Sequence, residues 1–132
     1  MDLKDLIPKS DDVVVVIKHP VTGETLVNGD KSEMTITLYA PHSKEYKKVF
    51  YEQANKRLKT MQSGKKNDFS LEDIESAALE TLAKTTKEWN ITFGEESPKL
   101  TASKAKEIYE EIFWIKPQLE EAVNTYLDFM KV

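Results

Sequence analysis

Residues 89–123 read WNITFGEESPKLTASKAKEIYEEIFWIKPQLEEAV, and how this stretch divides into loop and helix decides the fold. Positions 90–98 mix Asn, Gly, Ser and Pro, which is loop chemistry, and Ile91 and Phe93 can tuck inward from it. A helix then starts at Thr101 or Ser103, either hydroxyl being able to accept a first-turn N–H. Ile108, Ile112 and Ile115 carry its apolar side. Pro117 cannot continue that helix without losing a hydrogen bond, yet its fixed φ suits the first turn of a new one. Leu119, Val123, Tyr126, Leu127 and Met130 make this last helix amphipathic.

Upstream, Ser70-Leu71-Glu72-Asp73 matches a capping box with Asp as its fourth residue. Leu71, Ile74, Ala78, Leu82 and Trp89 then trace one apolar side, predicting a helix that ends near Trp89. Residues 63–68, SGKKND, break the pattern and predict a mobile loop near 63–69. Before it, Tyr46, Phe50, Ala54 and Leu58 recur every fourth residue, with Val49 and Met61 alongside. With Ser43 as N-cap, this predicts a helix of about 20 residues whose stripe covers a sheet.

That sheet is sought in residues 13–40. Residues 13–18 are a β-branched run. His19-Pro20-Val21-Thr22-Gly23-Glu24 has turn chemistry, 25–27 could form a short return strand, and Asn28-Gly29-Asp30 is a second turn. Residues 34–39 alternate, placing Met34, Ile36 and Leu38 on one face and Thr35, Thr37 and Tyr39 on the other. The expected architecture is one α+β domain, predominantly helical. A flexible arm (1–12) leads into a small N-terminal antiparallel β-meander (13–40) packed on about four helices.

Composition narrows the function classes. The chain has 132 residues, 39% hydrophobic and 32% charged, an ordinary balance for one soluble domain. It has no cysteine, so neither a disulfide framework nor a thiolate metal site is open to it. No apolar run of signal-peptide length opens the chain, and the aliphatic run 13–17 is far too short to span a bilayer. The expectation is a cytoplasmic protein without a membrane partner.

The net charge of −4 is unevenly spread. Residues 1–43 carry four lysines and seven acids, residues 44–66 eight basic groups and two acids, and residues 67–132 seven lysines and fourteen acids. A basic middle between acidic ends can bind an anionic partner or complement a neighbouring copy. Lys47, Lys48, Lys56, Arg57 and Lys59 are the candidate residues for such contacts. With Tyr46 and Tyr51 to stack on bases, the same segment supports an alternative reading, a nucleic-acid-binding accessory protein using 44–66.

Catalytic chemistry finds no footing. His19 and His42 flank prolines in turns, and Glu110-Glu111 and Glu120-Glu121 splay apart because neighbours on a helix point in different directions. No Ser-His-Asp order, HExxH spacing, phosphate loop or calcium-loop spacing is present, so neither enzyme activity nor a cofactor is expected. Phe113 and Trp114 are consecutive and point about 100° apart on a helix, so one of them is a candidate anchor for a partner. Tyr126 and Phe129 on the last helix complete that candidate partner surface.

Two groups of residues carry a family resemblance. One is a strand followed by Pro20-x-Thr22-Gly23-Glu24 and then ITLYAPHSKEYKKV at 36–49. The other runs from a helix ending in Trp89-Asn90 through Gly94-Glu95, Pro98, Thr101-x-Ser103 and Phe113-Trp114-Ile115 to Leu119 and Val123. Over about residues 13–125 the chain resembles the tail assembly chaperones of long-tailed bacteriophages, although its lysine-rich segment 63–68 has no match there. The resemblance implies a non-catalytic protein of the infected or lysogenic host's cytoplasm, absent from the mature virion. It would bind and solubilise the apolar tape-measure protein and give way to tail-tube subunits. It also implies a longer frameshifted form that engages the tube protein, this chain being the short form. Many modest contacts along one polymer gain avidity, and self-association into a homo-oligomer fits that scheme.

Overall fold

The computed structural model describes residues 2–6, 12–62 and 70–126. A 3-10 turn at Leu3–Leu6 precedes strand β1 (Asp12–Val16), strand β2 (Thr35–Tyr39), helix α1 (Lys44–Gln62) and helix α2 (Leu71–Lys84). Strand β3 (Thr86–Asn90), helix α3 (Ala102–Glu111) and helix α4 (Ile115–Asn124) follow. Three antiparallel strands in the order β1-β2-β3 lie on a set of four helices, the α+β architecture expected. The arm 1–12 is described only in part, and the loop at 63–69 lies outside the described residues.

The register of β1 against β2 runs from Asp12 opposite Tyr39 to Val16 opposite Thr35. Alternation then sorts the faces: Val13, Val15, Ile36 and Leu38 enter the core, while Val14 stays exposed. Beyond the strands the hairpin folds back and inserts Leu26. Leu26 N–H donates to the Ile17 carbonyl, and the Leu26 carbonyl accepts from Met34 N–H, each at 2.9 Å. The predicted return strand is therefore reduced to isolated bridges at Thr25 and Val27. Gly23, at φ 75°, and Lys31, at φ 72°, supply the left-handed positions of the two turns.

Two expectations are corrected. Trp89 does not lie on a helix. α2 ends at Lys84, where the Thr85 hydroxyl donates to the Thr81 carbonyl, and Thr86–Asn90 pairs with β2 as the third strand. The ladder slips between Thr37 and Leu38, so Lys87 has no opposite number. Its ammonium lies 6.0 Å from the centre of the Tyr39 ring and 2.9 Å from an Asp12 carboxylate oxygen, tying all three strands on the outer face. Nor does α1 cover the sheet. It packs on α2, whereas α4 lies on β1 and α2 and α3 close over β3.

The helix ends follow local chemistry. Ser43 Oγ accepts from Tyr46 N–H, and Thr101 Oγ1 accepts from Lys104 N–H. Ser70 and Asp73 form the reciprocal capping box. α3 stops at Glu111, earlier than the predicted run to Ile115, for a reason Pro117 supplies: its ring would collide with the Phe113 carbonyl in a continuous helix. Residues 112–114 therefore turn, and Pro117 becomes the third residue of α4.

The core gathers β1 and β2 with Leu79 and Ala83 of α2, Ala105, Ile108 and Tyr109 of α3, and Ile115 and Leu119 of α4. Ile91 is buried and Phe93 half-buried against it, as the loop reading predicts. Gly94 and Glu95 both take positive φ, closing the bridge between Phe93 and Glu96 as a type I′ turn requires. Trp89 packs edge-on against Tyr109, and its indole N–H donates to the Pro98 carbonyl at 2.9 Å.

One side chain acts as a strand. The Gln118 amide of α4 accepts from Lys18 N–H and donates to the Lys18 carbonyl, both at 2.9 Å, so it continues the ladder just past β1. Gln118→Ala should cost about 1 kcal/mol, because two hydrogen bonds pass to water at an exposed position. Gln118→Glu, which can accept but not donate, should lose roughly half of that at neutral pH. Urea unfolding of the three proteins measures the series, and three equal midpoints would show that the amide clamp contributes nothing.

Candidate functional site

α1 bridges poorly to the rest of the fold, and a cleft opens where it parts from its neighbours. The cleft, of about 350 Å³, lies between α1, α2 and α4. Tyr46, Phe50 and Ala54 form one wall, Ile74, Ala78 and Leu82 the floor, and Val123 the far wall. The periodicity of α1 that predicted a sheet-covering stripe instead lines this opening. Phe50 is 55% exposed, Leu58 54% and Ile74 47%. Large apolar groups left in water on adjacent helices are the mark of an interaction surface. At the cleft's polar margin stand Arg57 and Glu120, the latter 2.8 Å from Lys116 Nζ.

The basic residues singled out from sequence divide between different settings. Arg57 lines the cleft. Lys56 approaches Glu80 of α2 at 3.8 Å, and Glu80 is also held by Lys84 at 3.1 Å. The Lys84 hydrogen bond keeps the Glu80 carboxyl below its usual pKa. Lys47, Lys48 and Lys59 are exposed on α1, together with Lys44, and none of these four has an ion-pair partner among the described residues.

The aromatic candidates are also separated. Phe113 is 77% exposed and borders a polar hollow with Glu72, Glu75 and Glu110. Trp114, at the N-cap of α4, is half-buried against the core. Tyr126, also half-buried, stacks on His42 with ring centres 5.6 Å apart. Ten residues at about 1.5 Å each make α4 roughly 15 Å long, so Phe113 before it and Tyr126 after it do not share one pocket. Phe129 lies outside the described residues. Sequence reasoning named Tyr46, Phe50, Ala54 and Leu58 as a stripe and assigned it to the interior. A cue against that was available: eight basic residues in 44–66 leave little apolar width to bury.

Among the described residues no group of three or more His, Asp or Glu is placed to hold a metal ion. No helix described is long and apolar enough to cross a membrane. Comparison of the chain with protein-family models, with curated proteins and with solved structures finds no match.

Proposed function

We propose that this chain is a non-catalytic binding protein, a phage tail assembly chaperone that holds the apolar helices of the tape-measure protein in the cleft between α1, α2 and α4. The observation that supports the reading is that cleft: an apolar floor and two apolar walls with Phe50 and Ile74 left open to solvent, and Leu58 exposed beside it on α1. A long helical polymer with an apolar stripe needs a holder that binds reversibly at many places. An open cleft of modest depth suits that better than a closed pocket. In the same reading the protein works in the host cytoplasm, self-associates, is absent from the virion, and meets tail-tube subunits through a longer frameshifted form.

The test is capture of a co-expressed tape-measure fragment. Phe50→Ser with Ile74→Ser should reduce the soluble fragment about tenfold or more, since central apolar anchors carry most of the energy of such contacts. Both positions are exposed, so far-ultraviolet dichroism should stay unchanged. If instead Phe113→Ala or Tyr126→Ala abolishes capture while the cleft variant does not, the binding surface lies at the ends of α4. If no variant changes capture, the chaperone reading loses its support.

A further inference from the structure

The cleft continues around α1 into a row of lysines. Successive residues step about 100° around a helix, so the order of side chains around α1 follows from its sequence. Moving outward from the cleft, Phe50 and Ala54 come first, then Lys47 and Leu58, then Tyr51, and last Lys44, Lys48 and Lys59. Phe50 to Tyr51 is a ribbon roughly 100° wide, apolar apart from Lys47 near its N-terminal end, and that is the width a helix ordinarily presents to a packing partner. Leu58 and Tyr51, 54% and 59% exposed, extend it well beyond the cleft wall.

The charges flanking the ribbon are not symmetric. On the outer side stand Lys44, Lys48 and Lys59, all exposed and without an ion-pair partner among the described residues. Lys84, Lys87, Lys104 and Lys116, by contrast, each meet a carboxylate within the chain. On the inner side the cleft margin is mixed, carrying Arg57 of α1 and Glu120 of α4. A guest lying along the ribbon would therefore meet an unbroken row of cations on one flank only.

We infer that this surface takes an amphipathic α-helix whose apolar stripe is bordered by acidic residues on one side only, the acidic border running along the Lys44, Lys48 and Lys59 row. The inference rests on the reading of the cleft as a helix-binding site and specifies the chemistry of the guest. Nucleic acid would account for the lysines and for Tyr51, but not for Leu58, Phe50 and Ile74 in the same surface. Exposed charge pairs in this arrangement set which helix is chosen and in which orientation, more than how tightly it is held.

The experiment uses the full chain and three labelled synthetic helices of about 20 residues with one common apolar stripe. One border of the stripe carries Glu in the first helix, Gln in the second and Lys in the third, and fluorescence anisotropy reads binding. The Glu helix should bind about tenfold more tightly than the Gln helix at low salt and more tightly still than the Lys helix, with the preference fading as salt screens the contacts. Lys44→Gln, Lys48→Gln and Lys59→Gln together should abolish the preference while leaving binding of the Gln helix unchanged. Equal binding of all three helices would overturn the inference and leave the cleft reading standing. Failure of all three to bind would overturn both. A duplex or single-stranded oligonucleotide that binds where the helices do not, and is lost in the lysine variant, would replace the helix with nucleic acid.

Discussion

Leu119→Ala should destabilise the protein by about 3 kcal/mol, because it empties the fully buried position where α4 meets the core. The helix lies on β1, and its Gln118 amide continues the ladder at Lys18, so a loosened α4 also loosens the sheet it covers. For a domain whose total stability is roughly 5–15 kcal/mol, this is a large fraction. With a urea dependence of about 1–3 kcal/mol per molar, the unfolding midpoint should fall by about 2 M. Leu71→Ala is the matched control, since Leu71 is 84% exposed at the start of α2 and its loss should stay within about 0.5 kcal/mol. A Leu119 variant that unfolds with the parent would mean that α4 is not seated as described.

The second large effect appears in alkali. Tyr109 is almost wholly buried, and its hydroxyl lies 2.7 Å from Thr86 Oγ1. Thr86 in turn donates to the Leu82 carbonyl, so the tyrosine is the donor in the first bond. Burial pushes the phenol up from an ordinary 10.0 to about 12. A raised folded-state value means that the folded protein holds the proton more tightly than the unfolded chain. Its contribution is complete below pH 10 and is lost as the pH rises from 10 towards 12. That loss should reach about 3 kcal/mol for the single group. Tyr109→Phe removes this dependence at a fixed cost of about 1 kcal/mol, so the two stability curves should cross near pH 11, with the variant the more stable above it. Parallel curves across that range would place the titration elsewhere.

Much of the fold was legible because it is written in local chemistry. Ser43, Ser70 and Thr101 cap helices where their hydroxyls stand before apolar periodicities, and the alternation of 34–39 sorts the faces of β2. β3 was not legible, since TKEWN has one aromatic and two charged residues and gains strand character only from its pairing with β2. Trp89 stands seven residues after Leu82, which mimics a continuing helical stripe. The stop signal was the β-branched pair Thr85-Thr86, whose hydroxyls turn back onto carbonyls of the last turn.

The candidate site was legible as a list of residues and not as a place. A stripe at helical spacing says that one side of α1 is apolar, but not whether a sheet, another helix or a guest will lie against it. Likewise the basic run gave its charge without its division. Only the phase of the helix against α2 and α4 sends Arg57 into the cleft while Lys44, Lys48 and Lys59 face away.

The third strand also dictates an order of events during synthesis. Leu38 pairs with Thr86 across 48 positions, and both α1 and α2 lie in the interval. A nascent chain that has emitted β1 and β2 therefore exposes one side of β2 for as long as two helices take to be translated. At roughly 5–20 residues per second that interval lasts several seconds, long compared with the microseconds in which a hairpin forms. During it, the row of unpaired amides along β2 is a template for any extended segment nearby, including the same strand on an adjacent ribosome.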